Sequence, residues 1–330
     1  MLKYIIKRLI MSVFILLGVS MIIYFLIRLM PVDFIQSKID AINQGGATVS
    51  EETVKAMYEI YGLGDNSFLG ILKGYFGWLG ALARFDLGTS FKYGLPVAQV
   101  IYEHMGVSFL IALIATIFEF MIAIPLGITA ATHQYSFRDY LVTVLVMIGI
   151  SLPSFFFGQM LKNILALKLG WFPPSGLVDA TVTVSGFAFL LDYVRHIFIP
   201  ILTIVILSIG ARMRMTRTNM LEVMNSDYIR TARAKGLEEK VVINKHAFRN
   251  TLIPLVTSLA GLLPSLFSGA IITEQVFDLD GIGKFALDAM NAGDIPFIMG
   301  YNMFLALLSV LGVLLADLMY GIVDPRVKLE

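Results

Sequence analysis

The sequence predicts an all-α membrane protein with six transmembrane helices, and three features carry that reading. Hydrophobic residues make up 57% of the 330 positions and charged ones only 15%, with a mean hydropathy of +0.80, too little polar side chain to cover a water-soluble fold of this size. The apolar residues gather into runs near the roughly 17 to 25 residues that a helix needs to cross a hydrocarbon core. Lysine and arginine concentrate in segments that alternate with those runs, as cytoplasmic loops require. There is no cysteine, so a disulfide framework, a thiolate metal site and a cysteine nucleophile are all excluded.

The first run, 9–27, comes after Lys3, Lys7 and Arg8 and has no small-residue cleavage site behind it, which makes it a retained signal-anchor. The second, 107–131, carries Glu119 near its middle and Pro125; the third, 141–161, carries Pro153 within SLPSFFFG, and both prolines predict kinks. The fourth is bounded by Arg195 and Arg212, which leaves only 196–211, with Pro200 inside. The fifth, 252–272, and the sixth, 298–322, are nearly uninterrupted apart from Pro254, Pro264 and, near one end, Asp317.

With the N-terminus inside, the inner segments hold Lys3, Lys7, Arg8, Arg138, nine basic residues between Arg212 and Arg249, Arg326 and Lys328, the majority of the 25. Both termini are therefore expected in the cytoplasm, with a long first extracellular loop over 31–106. The chain divides into an anchor plus this outer loop, 1–106, and a membrane domain, 107–330, with an inner loop at 212–251. In the outer loop Ser50 can cap a helix with Glu51 and Glu52 in its first turn, and Val54, Met57, Tyr58 and Tyr61 give it an apolar stripe that packs on its own protein. Gly62, Gly64, Gly70, Gly74, Gly77 and Gly80 interrupt the rest of the loop, and the GxxxG from Gly70 to Gly74 lies outside any span.

The inner loop is the most informative stretch. Its nine basic residues face Glu222, Asp227, Glu238 and Glu239, a local balance of +5 in a chain of net charge +1. Positive-inside bias and attraction to anionic headgroups account for such a loop, and so does docking of a cytoplasmic protein. Nucleic acid is disfavoured because stacking aromatics are missing. Asn225, Ser226 and Asp227 are candidate caps for a helix of about three turns that Gly236 ends in a left-handed conformation. Tyr228, Ile229, Ala232 and Gly236 share one arc of that helix, while Arg230 and Arg233 point away. The small, greasy face can seat in a partner's groove; a helix lying on the membrane surface fits the pattern less specifically. Glu238 and Glu239 open a second short helix, with Lys245, His246 and Arg249 near its end. Only 250–254 then separate it from the fifth run, so a push on this segment would move that helix.

Read together, DYIRTARAKG and HAFRNTLIP resemble the cytoplasmic coupling loop of ABC importer permeases, and in detail the oligopeptide and dipeptide permease family. DLGTSFKYGLPVAQVI, SLPSFFFG, EQVFDLDGIGKFALDAMNAGDIP and DLMYGIVDPRVKL agree in order along the chain. The resemblance implies a type I ABC importer permease fold in a bacterial or archaeal plasma membrane, paired with a second homologous permease subunit. It also implies two cytoplasmic ATPase subunits, which hold the ATP and Mg, docked at Tyr228, Ile229, Arg230, Ala232, Arg233 and Gly236. An extracellular or periplasmic solute-binding protein would deliver oligopeptides or dipeptides; similar permeases carry nickel or oligosaccharides. Ala232 and Gly236 match the family's small and glycine positions, whereas Arg230 and Thr231 stand where the broader motif has Glu and Ala.

The chain itself offers no catalytic constellation. A phosphate-binding loop needs GxxxxGK followed by Ser or Thr, and the nearest case, Gly281 to Phe285, has Asp278 at the first glycine position. His104, His133, His196 and His246 are scattered. An ionisable group in mid-membrane is costly when it faces lipid, so Glu119 either lines a translocation path or is a hydrogen-bonded carboxylate between packed helices. Pro153 and Phe155 either shape that path or mark an ordinary kink. A non-transporting scaffold that recruits a cytoplasmic partner through the basic loop is the reading from a different class.

Overall fold

The computed structural model describes residues 2–28, 39, 67–179 and 185–323. The expected helix at 50–63 and the tail residues Asp324, Pro325 and Arg326 lie outside the described residues.

The chain forms two compact units, Met1–Met105 with Phe285–Val310, and Gly106–Lys284 with Leu311–Glu330. Where the sequence suggests a single boundary at 106/107, the chain returns to the first unit at Phe285. In that unit, helix α1 (Leu2–Arg28) covers the first apolar run and is long and apolar enough to cross a membrane. Helix α2 (Phe68–Leu82) is continuous through Gly70, Gly74, Gly77 and Gly80, so the glycines do not interrupt it as expected. Ser67 caps it, its Oγ accepting from Gly70 N at 3.1 Å, and apolar contacts outweigh the roughly 1 kcal/mol per glycine that propensity charges against it. Tyr75 of α2 packs with Tyr24 and Ile27 of α1 and with Ile298 and Met299. Gly88 takes φ 84°, and a bridge from Thr89 to Pro96 closes the hairpin-like DLGTSFKYGLP turn. Asp294 pins this turn by accepting from Ser90 Oγ and from the amides of Phe91 and Lys92.

Helix α3 (Val97–Thr132) runs unbroken through Pro125. Helix α4 (Phe137–Ser151) and helix α5 (Ser154–Leu161), the latter extended by a π-turn at Lys162–Lys168, replace the single third span; they meet at 100°. Pro153 causes the break rather than a kink: it occupies the cap position of α5, where its missing N–H costs nothing and its fixed φ starts the new helix. Helix α6 (Phe187–Met224) corrects the fourth span most. It passes straight through Arg195 and Arg212, with Pro200 buried inside it: Arg212 is paired with Glu119 of α3 and with Ser258, and Arg195 is exposed and donates to the Trp171 carbonyl at 3.3 Å, so neither ends the helix as a hydropathy reading expects. Much of the predicted inner loop is thus helix.

Helix α7 (Asp227–Ala234) comes next, then helix α8 (Glu239–Val241), a π-turn at Val242–Ala247, helix α9 (Phe248–Ser258), a 3-10 turn at Leu259–Gly261 and helix α10 (Leu262–Phe267), all in one continuous run from Glu239. The fifth span is therefore segmented rather than uninterrupted, and the chain bends again at Gly269 (φ 71°) before helix α11 (Ile271–Phe277). Gly312 abuts the Ala260 carbonyl at the 3-10 turn, a backbone approach that a side chain would block. Helix α12 (Ile282–Asn291) and helix α13 (Ile295–Val323) complete the chain. Among the described residues four helices are long and apolar enough to cross a membrane, or five when α4 and α5 count as one span.

Candidate functional site

The site is α7 and the seat that holds it, on the side the basic count assigns to the cytoplasm. Asp227 in its first turn and Arg233 in its last complement the helix dipole. Ser226 supplies the extended cap backbone but no capping side-chain bond, and the helix has eight residues, shorter than the three turns expected. It ends in a Schellman motif: Gly236 N donates to Arg233 O at 2.9 Å and Leu237 N to Ala232 O at 3.4 Å, with Gly236 at φ 75°. A Cβ at Gly236 would meet nothing within 4 Å, so glycine is needed there for its backbone conformation, not for close approach.

The greasy face does not wait for a partner. Ile229 and Ala232 are buried in a cluster with Ala131 at the end of α3, Met220 of α6, and Val242 and Ala247 of the π-turn. Full burial of an isoleucine contributes on the order of 1.5 to 3 kcal/mol, so this contact fixes α7 to α3, α6 and the π-turn that leads into α9. Arc geometry groups Tyr228 and Gly236 with these two, but both are exposed, as are Arg230 and Leu237. Arg233 reaches back across the turn and grips Glu239 in a bidentate pair, Nη2 to Oε1 at 2.7 Å and Nε to Oε2 at 3.1 Å. The hydrogen bonds from Arg233 hold the Glu239 carboxyl below its ordinary pKa.

The seat is stiffened along the inner half of α6. Met220 Sδ accepts from Thr251 Oγ1 of α9 at 3.2 Å. One turn earlier Arg217 forms a bidentate pair with buried Asp139 at the start of α4, at 2.9 and 2.8 Å. Thr216 abuts Gly127 of α3 so closely that a Cβ there would lie 2.6 Å from the threonine Cβ. Arg212 then donates Nε to Glu119 Oε1 at 2.9 Å and Nη1 to Ser258 Oγ at 2.9 Å, its guanidinium 4.5 Å from the Phe120 ring. Residues 212, 216, 217 and 220 thus knit α6 to α3, α4 and α9.

Glu119 is in this clamp, between packed helices. Pro153 sits at the α4–α5 break, and Phe155 is exposed just beyond it. The structure does not gather these three around one cavity wall. Sequence reasoning missed Asp139 and Arg217 altogether; the signal was Ser136 with Asp139 three residues later, a capping-box spacing. Here Ser136 does cap α4, but the aspartate turns to Arg217 and to Tyr135 N instead. Lys284, in the stretch that imitates a phosphate loop, is held by Asp278 at 2.6 Å and Asp280 at 3.2 Å. No group of three or more potential metal ligands occurs among the described residues.

Residues 123–329 match the family described as binding-protein-dependent transport system inner membrane component. The chain is similar to the oligopeptide transport system permease protein AppB of Bacillus subtilis, 36% identical over 329 residues that cover 99% of this chain and 100% of that one. It is similar as well to the dipeptide transport system permease protein DppB of Alkalihalophilus pseudofirmus, 32% identical over 342 residues, covering 99% and 100%. A solved inward-facing structure of the MetNI methionine ABC transporter superposes with a TM-score of 0.52 at 15% identity, over 69% of this chain and 97% of that chain, which shows a shared fold.

Proposed function

This chain belongs to the family of binding-protein-dependent transport system inner membrane components, and on that premise we propose that it is a permease subunit of an ATP-driven importer for oligopeptides or dipeptides. The observation that carries the proposal is the two-sidedness of α7. Its inner face, Ile229 and Ala232, is fixed to α3, α6 and the π-turn, while Tyr228, Arg230 and Leu237 stay open on the outside. An ATPase pressing on the open side would therefore push on α3, α6 and the π-turn that leads into α9 together. A helix that only lay on headgroups would bury its apolar face in lipid, whereas this one buries it in its own chain.

In this reading a second homologous permease completes the path, two cytoplasmic ATPase subunits hold the ATP and Mg, and an extracellular or periplasmic solute-binding protein delivers the ligand. The chain crosses a bacterial or archaeal plasma membrane six times, with both termini in the cytoplasm: the four long helices, the bent α4–α5 pair and the segmented α9–α10 run each cross once. In this reading Phe155, exposed after Pro153, lines the path. Glu119 holds Arg212 through Oε1, and in this reading it acts first as a clamp.

The test is the assembled complex, this chain with a second permease, two ATPases and the binding protein, in proteoliposomes. Peptide-stimulated ATP hydrolysis with peptide accumulation supports the reading. Hydrolysis without movement of any solute establishes the scaffold alternative, and stimulation by nickel or oligosaccharides in place of peptides reassigns the substrate. Uptake unchanged by Glu119→Gln for every transported peptide removes Glu119 from the path.

A further inference from the structure

Helix α2 lies in the segment expected outside the membrane, yet it is built like a membrane element. Its fifteen residues, FLGILKGYFGWLGAL, carry one charge, Lys73. At 1.5 Å per residue the helix is about 22 Å long, too short for a hydrocarbon core of roughly 30 Å. Phe68, Leu69 and Phe76 are 73%, 76% and 64% exposed, an apolar face that water would not tolerate as a free surface.

Contacts with α1 set its depth. Tyr75 OH shares a hydrogen bond with Ser20 Oγ at 3.0 Å and donates to Leu17 O at 3.5 Å. Leu17 lies eleven residues before Arg28, the last residue of α1, about 16 Å along the helix axis. A helix reaching that point from the outer side sits among acyl chains, not in water. The rings of Tyr24, Tyr75 and Trp78 cluster within 6.4 Å of one another by centroid, the amphipathic aromatics that favour the boundary between tails and headgroups. A cavity of about 650 Å³ adjoins the two helices, walled by Val13, Leu16, Leu79, Leu82, Met303 and Phe304. Apolar cavities of this kind exclude water and accept hydrocarbon.

We propose that α2 is an outer-leaflet helix: it lies in the outer half of the bilayer without crossing it, with Leu69 and Phe76 against lipid acyl chains and Lys73 snorkelling to the headgroups. Lipid tails are the occupant because the depth fixed by Leu17 and Ser20 places this face in hydrocarbon. The inference rests on α1 crossing the membrane and is independent of what the complex transports.

The native chain has no cysteine, so single-cysteine variants report cleanly. Spin labels at Phe76→Cys and Leu69→Cys, both exposed, are measured in lipid vesicles against Phe14→Cys on the exposed side of α1 and Ser175→Cys in an exposed loop. Collisions with dissolved oxygen several-fold more frequent than with a water-soluble nickel chelate, as at Phe14→Cys, are expected. Preferential access by the chelate, as at Ser175→Cys, overturns the proposal. Repeating the measurement in the complex with cysteine-free partner subunits separates lipid from protein: unchanged oxygen access supports lipid as the occupant, and loss of access to both reagents shows that a partner covers the helix and overturns it.

Discussion

Two buried glutamates in the same unit solve one problem in different ways. Glu119, 8% exposed, is neutralised by another side chain, Arg212, which Ser258 also holds. Glu274, 1% exposed, is satisfied mainly by backbone: the amides of Ala270 and Lys284 donate to it at 3.1 and 2.9 Å, and Ser108 Oγ at 2.7 Å. Ser108 in turn accepts from Ile282 N. Three glycines make room: a Cβ at Gly281 would sit 2.5 Å from the Glu274 carboxylate, at Gly269 2.6 Å and at Gly283 2.9 Å. A carboxylate paired with a side chain can be removed together with its partner. A carboxylate wrapped in amides cannot, because the donors belong to the main chain.

The largest effect is therefore expected at Glu274. Glu274→Ala orphans a hydroxyl and at least two amides, each costing about 1 to 3 kcal/mol when buried, so a loss above about 3 kcal/mol should appear as a large fall in the melting temperature of the purified chain. Adding Ser108→Ala should not rescue it, since the amides remain; rescue would erase the distinction between the two glutamates. Gly281→Ala should be nearly as damaging.

Next comes Glu119→Leu, which strands Arg212 and should cost about 3 to 5 kcal/mol, the range for breaking a buried pair. Here the double variant Glu119→Leu with Arg212→Met should regain most of the stability in the same melting measurement, because no main-chain donor is left over. Failure of the double variant to recover would mean that the pair is locked into a wider network through Ser258 and Phe120.

Gly236 is a smaller case. Gly236→Val forces a branched residue into the left-handed region, about 1 to 2 kcal/mol, and should weaken retention of the ATPase on affinity resin, while Gly236→Asn, which tolerates that conformation, keeps it. Gly236→Asp is expected to abolish docking with membrane insertion intact; since aspartate also accepts this backbone, retained docking would show that the exposed surface at Gly236 is not part of the contact.

The smallest effect belongs to the exposed pair Arg233–Glu239, whose side chains are 39% and 54% accessible. Solvent screening limits it to about 0.2 to 1 kcal/mol. Because Arg233 lowers the folded-state pKa of Glu239, its contribution is complete above the unfolded carboxylate value near ~4.3 and is lost as pH falls through the lower folded value. Glu239→Gln should lower stability at neutral pH by only that small amount and leave it unchanged in strong acid, so that this acid limb of the stability profile flattens.

The legibility of each part depends on its chemistry. Glu119 stands out in the sequence as a charge in an apolar run, but its partner reads as a loop boundary because Arg212 and Arg195 are costly only when unpaired. Glu274 is invisible there, since one acid among the charges of an outer segment gives no sign of burial, although the glycines at 269, 281 and 283 are its imprint. On α7, periodicity identifies Ile229 and Ala232 as one face but cannot say whether a partner or the chain itself covers it. Asp139 is announced by capping spacing and then uses its carboxylate elsewhere.

The sequence by itself determined the helical membrane class, the apolar runs, the charge asymmetry and the left-handed stop at Gly236, because each depends on local composition or on the backbone freedom of one residue. The tertiary structure alone decided where helices break or persist through proline, which arginines are paired between helices, and which face of α7 is spent inside the chain. Those outcomes turn on contacts between residues distant in sequence, as between Glu119 and Arg212 or in the cluster that joins Ile229 to Ala131, and the free energy of such contacts is larger than any local preference that opposes it.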